Sequence, residues 1–168
     1  KGADELYEAL RVGVNPAQVR VVPAACMGRC DTAPVCEVGH FFVDHATPES
    51  VEQVVESGRR EAEIPEYKGL AAYLAEGGYA MLKECRSGKR GVQDVIAEMG
   101  DAALRGLGGA GFPAGKKWQI VRSYPGPRLM TINGDEGEPG TFKDRYYLER
   151  NPHQMFEGAL IAAWAVEA

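Results

Sequence analysis

Apolar residues recur at helical spacing in several stretches of this chain. Positions i, i+3, i+4 and i+7 of one stretch hold Val92, Val95, Ile96 and Met99. This spacing, followed by Gly100, predicts an amphipathic helix that ends at that glycine. Similar patterns predict helices over residues 3–10, 70–76 and 79–85.

Shorter apolar stretches predict strands in the first third of the chain. Residues 19–22 read as one short strand, and residues 35–43 alternate loosely, as a strand does. Thr47, Pro48 and Glu49 then predict the start of a helix, with a hydroxyl cap, a proline in the first turn and an early carboxylate. The order strand, strand, helix indicates half of a small α/β domain.

The last third of the chain alternates apolar and glycine-rich stretches. Residues 129–133 predict a short buried strand. Thr141 and Asp144 have the spacing of a capping box, for a helix whose Tyr146 and Tyr147 we expect in the core. A further helix follows, and its predicted start and core-facing residues are Asn151, Pro152, Phe156, Leu160, Ile161 and Trp164.

Composition restricts the class of protein. The chain has 168 residues, of which 45% are hydrophobic and 26% charged, as in globular proteins. A formal charge of -5 argues against nucleic acid or anionic lipid as a general partner. No apolar run approaches the length of a membrane span and Lys1 begins no secretory signal, so we expect a cytoplasmic protein that does not span a membrane. Since the chain starts without Met and stops inside a predicted helix, we expect a fragment of a longer subunit.

The stretch 104–117 is the least ordinary part of the sequence. Five glycines fall within ten positions: Gly106, Gly108, Gly109, Gly111 and Gly115. A phosphate-binding P-loop is excluded, because Ala110 stands where its first glycine is needed and Lys117 where its hydroxyl is needed. The spacing Gly-x-Gly-x-x-Gly is present, but it follows a predicted helix instead of a strand, which weakens an ordinary dinucleotide fingerprint. The alternatives left are a cradle for an anionic cofactor and a flexible linker.

A second glycine-rich loop, residues 134–144, follows the predicted strand 129–133. Three carboxylates alternate with three glycines there: Asp135, Glu136 and Glu138 with Gly134, Gly137 and Gly140. A solvated turn would explain this composition. Two such loops on either side of one strand instead favour a ligand site, because ligands of open α/β sheets bind where loops leave the strands.

The four cysteines suggest reduced thiols or metal ligands, since no secretory signal accompanies them. Cys26 and Cys30 lie four apart in a loop with glycine and proline, which would allow two thiolates to meet at one metal ion. Two partly buried cysteines without a metal remain the alternative. We predict that Cys36 and Cys85 are not ligands. The histidines, His40, His45 and His153, have no second metal-type ligand at suitable spacing.

These motifs carry a resemblance to known families. Residues 106–118 and 133–144 resemble the FMN-binding, NADH-oxidising 51 kDa-type flavoprotein subunit of respiratory complex I and its relatives in NAD-linked formate dehydrogenases and hydrogenases. Residues 26–34 resemble the second ligand pair of thioredoxin-like 2Fe-2S ferredoxins. The resemblance implies an α/β fold: the C-terminal half of a thioredoxin-like ferredoxin domain (1–62), a helical lead-in (63–103), and the N-terminal part of a Rossmann-like FMN-binding domain (104–168).

The resemblance also implies cofactors and the residues that hold them. Residues at positions that hold FMN are Gly106, Gly108, Gly109, Lys117, Asn133, Asp135 and Glu136. Phe112 and Glu138 match positions that contact NAD. Cys26 and Cys30 would supply half of a 2Fe-2S site, with two further cysteines expected upstream of Lys1, and ligands of a 4Fe-4S cluster are expected beyond Ala168. No residue is required to act as an acid or a base in catalysis.

The activity implied is electron transfer between NAD and iron-sulfur centres through FMN. We expect the beta, diaphorase-type subunit of an NAD-dependent formate dehydrogenase, whose partner subunit contains molybdenum or tungsten. Leu107 stands where complex I members commonly have arginine, and the fused ferredoxin segment also argues against a standard complex I subunit. The alternatives are the equivalent subunit of complex I or of an NAD-reducing hydrogenase, and a non-catalytic scaffold or electron carrier.

Overall fold

The computed structural model describes residues 1–106 and 109–168, which form two compact units. The first unit contains Lys1–Glu66 and Asp135–Tyr146, and the second contains Tyr67–Gly134 and Tyr147–Ala168. The elements are, in chain order, α1 (Ala3–Gly13), β1 (Cys36–Val38), β2 (Phe41–Val43), α2 (Pro48–Ser57), α3 (Leu70–Ala75), α4 (Ala80–Arg86), α5 (Val92–Asp101), α6 (Ala114–Ser123), α7 (Lys143–Arg150) and α8 (Pro152–Val166). Within the described ranges, no helix is long and apolar enough to cross a membrane.

The core of the first unit lies between α1, α2 and the β1–β2 hairpin. Its buried members are Leu6, Leu10, Phe41, Val43, Ala46 and Val51. Leu6 and Leu10 lie four residues apart on α1, so they present one apolar face. Burial of these side chains is the main favourable contribution to the stability of this unit, because apolar area is removed from water.

The hairpin corrects the prediction of one strand over residues 35–43. β1 and β2 pair antiparallel, with Val38 opposite Phe41, and a turn interrupts the stretch. Gly39 in that turn has φ +71, and a Cβ there would lie 2.9 Å from the Arg60 carbonyl oxygen. Both the backbone conformation and the space at position 39 therefore require glycine. The chain reverses at this turn, so the alternating stretch 35–43 forms two short strands instead of one.

The start of α2 confirms the predicted cap. The Ser50 N–H donates to Thr47 Oγ1 at 3.2 Å, and the Thr47 N–H donates to Ser50 Oγ at 2.9 Å. The prediction of a strand over residues 19–22 is wrong, because this stretch has no regular structure. In the part of the chain that the structure describes, β1 and β2 form a two-stranded sheet, so residues 19–22 have no ladder partner.

The second unit is helical, and α8 lies at its centre. This helix packs against α3, α4, α5 and α6. The core contains the buried residues Cys85, Val95 and Ile161, with Met81, Leu82, Trp118 and Trp164 packed against them. α5 and α6 approach closely at Gly115, where an added Cβ would lie 2.9 Å from the Ile96 carbonyl oxygen. The position of α6 relative to α5 is therefore set by close approach of the two backbones.

Several predicted core positions in the last third are wrong. Residues 129–133 form no strand, and Leu129 is 95% exposed. A buried strand needs neighbouring strands, and the named elements among the described residues of the second unit are all helices. Tyr146 and Tyr147 are also exposed, as are Phe156 and Leu160, whereas the predicted core positions Ile161 and Trp164 do pack into the interior.

Candidate cofactor-binding site

The glycine-rich loop is closed at its base by backbone hydrogen bonds. The Gly106 N–H donates to the Phe112 carbonyl at 3.0 Å, and the Ala114 N–H donates to the Leu104 carbonyl at 2.8 Å. An isolated antiparallel bridge joins the two sides between these bonds. The loop therefore has fixed ends, unlike a flexible linker. The Gly106 N–H is used in this closure and is not available to a ligand, whereas the missing side chain leaves space there.

Two described glycines inside the loop have positive φ. Gly109 has φ +105 and Gly111 has φ +59, which side chains other than glycine rarely adopt. The Arg105 guanidinium donates to the Gly111 carbonyl at 3.0 Å and braces the loop from the side. An added Cβ at Gly109 would meet no atom within 4 Å, so the backbone there is open to a ligand. Gly108, predicted to hold FMN, and its neighbour Leu107 lie outside the described residues.

α6 begins directly after the loop and carries its cation. Pro113 is the N-cap residue, and Lys117 follows at the fourth position of the helix. Lys117 is exposed and takes part in no ion pair with any described residue. An unpaired lysine beside open loop backbone at a helix N-terminus is chemically suited to an anionic group such as a phosphate. Phe112 is 44% exposed at the same loop, so its ring is accessible for stacking.

The acidic loop has a different local structure from the one predicted. The Glu136 carboxylate accepts hydrogen bonds from the N–H groups of Asp144 at 2.7 Å and Arg145 at 3.1 Å. It therefore caps the first turn of α7. The predicted capping box is wrong, because Thr141 Oγ1 donates to the Glu138 carbonyl at 2.7 Å. Glu138 itself is exposed.

The predicted FMN and NAD residues are distributed over both units. Gly106, Gly109, Phe112, Lys117 and Asn133 belong to the second unit. Asp135, Glu136 and Glu138 belong to the first. The glycine loop and Lys117 are thus in one unit, and the three carboxylates are in the other. Their assignment to one cofactor site stays a prediction.

The cysteine loop lies in the first unit. Cys26 is exposed and Cys30 is half-buried, and both are free thiols. Gly28 between them has φ +66, and the Lys1 ammonium donates to the Cys30 carbonyl at 2.8 Å. Across residues 1–106 and 109–168, no group of three or more His, Cys, Asp or Glu side chains could hold a metal ion. Two thiols in one loop fit one iron of a 2Fe-2S cluster, which requires further ligands for the other.

An open cavity of about 1200 Å³ borders the cysteine loop. Its walls are mainly apolar and include Leu6, Leu10, Val21, Pro23 and Pro34, together with both loop cysteines. The other two cysteines are placed differently. Cys36 lies on β1, and burial followed by the nearby Glu37 raises its pKa; burial also raises the pKa of Cys85 in the second core. Both thiols are therefore held protonated, which is unfavourable for metal binding.

Glu157 is the polar residue of the second unit that sequence reasoning missed. Its side chain is buried and accepts hydrogen bonds from the Tyr73 hydroxyl at 2.5 Å and the Tyr79 N–H at 2.7 Å, and from the Leu82 N–H at 3.3 Å. A signal exists in the sequence, because Glu157 occupies the same helical face as the buried residues Ile161 and Ala165 at i+4 and i+8. A carboxylate in that series indicates a buried polar centre.

Opposing effects set the protonation of this centre. Burial raises the pKa of Glu157, but hydrogen bonds from Tyr73, Tyr79 and Leu82 outweigh it, and the pKa lies below its ordinary value. Burial, followed by the hydrogen bond to Glu157, raises the pKa of Tyr73 to about 12. His153 completes the centre, with Nδ1 at 3.1 Å from the Tyr79 hydroxyl. At neutral pH, Glu157 is therefore an anion bound by neutral donors.

Comparisons with known proteins match both parts of the chain. Residues 3–59 match the family model "Thioredoxin-like [2Fe-2S] ferredoxin", and residues 99–168 match "Nuo51 FMN-binding domain". The chain is 42% identical over 109 residues to an NADH-quinone oxidoreductase subunit of Aquifex aeolicus, covering 65% of this chain and 25% of that protein. It is 43% identical over 110 residues to an NADH-quinone oxidoreductase subunit of Rhizobium meliloti, covering 65% of this chain and 26% of that protein.

A solved structure is similar over nearly the whole chain. The crystal structure of NAD+-reducing [NiFe]-hydrogenase in the H2-reduced state matches with a TM-score of 0.68 and 28% sequence identity, covering 99% of this chain and 32% of that chain. The chain thus spans about a quarter of the length of these two curated relatives and a third of this structure. The α/β fold class predicted from the sequence is confirmed by the two family matches. Residues 3–59 are thus similar to the thioredoxin-like [2Fe-2S] ferredoxin family, and residues 99–168 are similar to the Nuo51 FMN-binding domain family.

Proposed function

We propose that this chain is part of an NADH-binding FMN flavoprotein subunit, the diaphorase subunit of an NAD-dependent formate dehydrogenase. The observation that supports the proposal is the closed glycine loop with Lys117, which forms an ion pair with no described residue, one turn into the following helix. The ferredoxin segment before it supplies two free thiols, Cys26 and Cys30, for an electron-transfer cluster. We propose the domain limits 1–62, 63–103 and 104–168 for these parts.

The residues have distinct roles in this proposal. Lys117 would offset the charge of the FMN phosphate, and Gly109 would leave the backbone accessible to it. Gly108 is proposed as a further FMN-binding residue. Asn133 would donate and accept at the flavin edge, with Asp135 and Glu136 nearby in sequence. Phe112 would stack on the nicotinamide dinucleotide, and Glu138 would contact it.

FMN, when bound, converts the two electrons of a hydride from NADH into single electrons that iron-sulfur clusters accept. The protein's own contribution is position and charge, and no residue acts as a general acid or base. Cys26 and Cys30 would hold one iron of a 2Fe-2S cluster, with its other ligands and those of a 4Fe-4S cluster supplied outside these residues. The proposed electron partner is a molybdenum- or tungsten-containing formate-oxidising subunit.

One specific observation favours a second candidate. The NAD+-reducing hydrogenase structure is similar over 99% of this chain, so its similarity includes both the segment 3–59 and the segment 99–168. A hydrogenase diaphorase therefore fits the chain as well as a formate dehydrogenase does. Support for formate comes from the resemblance of the loop around Leu107.

The test is the anaerobic visible spectrum of the holoenzyme with NADH, formate and hydrogen added to separate samples. Loss of the flavin band with NADH and with formate is the expected result. Loss with NADH and hydrogen would instead favour the hydrogenase, and loss with NADH alone would favour the quinone-linked enzyme. A holoenzyme without flavin would mean that the glycine loop is a scaffold.

A further inference from the structure

A single side chain connects the acidic loop to the cysteine loop within the first unit. The Arg145 guanidinium donates to the carbonyl oxygen of Gly28 at 2.9 Å. Gly28 lies midway between Cys26 and Cys30, so the contact is made to the backbone that carries both thiols. Arg145 is half-buried and 117 positions away in sequence.

Arg145 is itself held in place from the acidic loop. Its N–H donates to the Glu136 carboxylate at 3.1 Å, in the cap of α7. The guanidinium forms no ion pair with any carboxylate in the described stretches of the chain. Arg29, inside the cysteine loop, differs, because its charge is paired with Asp44 at 3.2 Å. Arg145 thus brings a charge to the loop that no described carboxylate neutralises.

Reduction of an iron-sulfur cluster adds one negative charge, and nearby positive charge and hydrogen bonds favour the reduced form. We propose that Arg145 is a positioning residue for the Cys26–Cys30 loop and raises the reduction potential of the cluster bound there. This inference rests on the proposed cluster. It assigns to the segment 135–146 a role in electron transfer besides its predicted contact with FMN.

The test is an EPR-monitored redox titration of the 2Fe-2S signal in the holoenzyme. Arg145→Gln is expected to shift the midpoint potential to a more negative value, and Arg145→Lys, which keeps the charge, is expected to shift it less. Lys143→Gln is the matched control: it removes an equal charge from the same helix, where Lys143 is paired with Asp144. Its potential should equal that of the wild type.

The inference is overturned if Arg145→Gln leaves the potential unchanged, or if Lys143→Gln shifts it equally. Cluster content, measured as iron and acid-labile sulfide, separates a shifted potential from a lost cluster. A wild-type holoenzyme with no 2Fe-2S signal would overturn the cluster assignment itself, and the inference with it. The two failures are therefore distinguishable.

Discussion

The Tyr73 hydroxyl donates to the buried carboxylate of Glu157 at 2.5 Å, across 84 positions of sequence. This bond joins α3 to α8 inside the second unit, and two backbone N–H groups bind the same carboxylate. A buried charge is tolerated when hydrogen bonds replace its hydration. The helices of this unit are therefore fixed in register by a polar centre as well as by apolar packing.

Glu157→Gln is expected to lower the free energy of unfolding by about 2–3 kcal/mol, because the amide nitrogen cannot accept and leaves a buried donor without a partner. Urea denaturation of the purified protein measures it. Glu98→Gln is the matched control, since Glu98 is exposed on α5 and pairs with Arg90 at the surface. The control should change stability by less than about 1 kcal/mol. Equal effects of the two substitutions would contradict a special role for the buried carboxylate.

Tyr73→Phe is expected to alter the pH dependence of stability at both ends. The depressed pKa of Glu157 contributes stability above its ordinary pKa, and this contribution is lost as the pH falls through the depressed value. Removal of the Tyr73 hydroxyl takes away one of the bonds that lower this pKa. The loss in acid should then be smaller and should be complete at a higher pH than in the wild type.

At the alkaline end, the sign is opposite. The pKa of Tyr73 is raised from 10.0 to about 12, so its contribution is complete below pH 10 and is lost as the pH rises toward 12. Phenylalanine has no such group, and the variant should lack this part of the alkaline decline. Unfolding free energies measured between pH 3 and 12 would show both changes; parallel curves for the two proteins would disprove the coupling.

Gly115→Ala is expected to destabilise the second unit and to lower FMN retention. The added Cβ would meet the Ile96 carbonyl oxygen at 2.9 Å, a backbone atom that cannot move alone, so α6 must shift away from α5. Gly100→Ala is the control on α5, where a Cβ meets nothing within 4 Å and alanine favours the helix by up to about 1 kcal/mol. Thermal unfolding should show opposite signs for the two. Two variants of equal stability would show that α5 and α6 are not closely packed.

Lys117→Gln is expected to weaken FMN binding about tenfold or more, because one charge-assisted contact is worth about 1.4 kcal/mol or more. Lys116→Gln is the matched control, since Lys116 is the preceding lysine of α6 and is also exposed. The measurement is flavin fluorescence during dilution and desalting of the holoenzyme. If both variants lose flavin equally, the effect is general charge and not a specific phosphate contact.

Local signals predicted the helices other than α6, which the sequence analysis missed. The spacing of Val95 and Ile96 predicted their burial on α5, and the helix ends at Asp101, one residue after the predicted Gly100. The Thr47 cap was predicted because the hydroxyl and the following proline act on their own turn. Such signals depend on neighbours within one or two turns, and the sequence contains them directly.

The errors came from structure that depends on distant residues. Residues 129–133 are apolar enough for a strand, but a strand exists only with a partner, which no local pattern contains. Glu136 lies in a loop whose composition favoured a ligand site. Its capping of α7 could not be predicted, because it depends on the path of the chain between positions 136 and 144. The cysteine motif was recognisable, whereas the contact of Gly28 with Arg145 could not be predicted from spacing.

Because the base of the glycine loop is closed by backbone bonds, the number of residues in this segment matters more for its structure than their types do. Because the Gly106–Phe112 and Ala114–Leu104 bonds are made by backbone atoms, most side-chain changes at the base leave them intact. One residue inserted after Pro113 would instead turn every later position of α6 by about 100° around the helix axis. The direction of Lys117 would change by the same angle, and Gly115 would no longer face α5. In relatives that keep this site, we expect the residue types of this segment to vary and the number of its residues to stay the same.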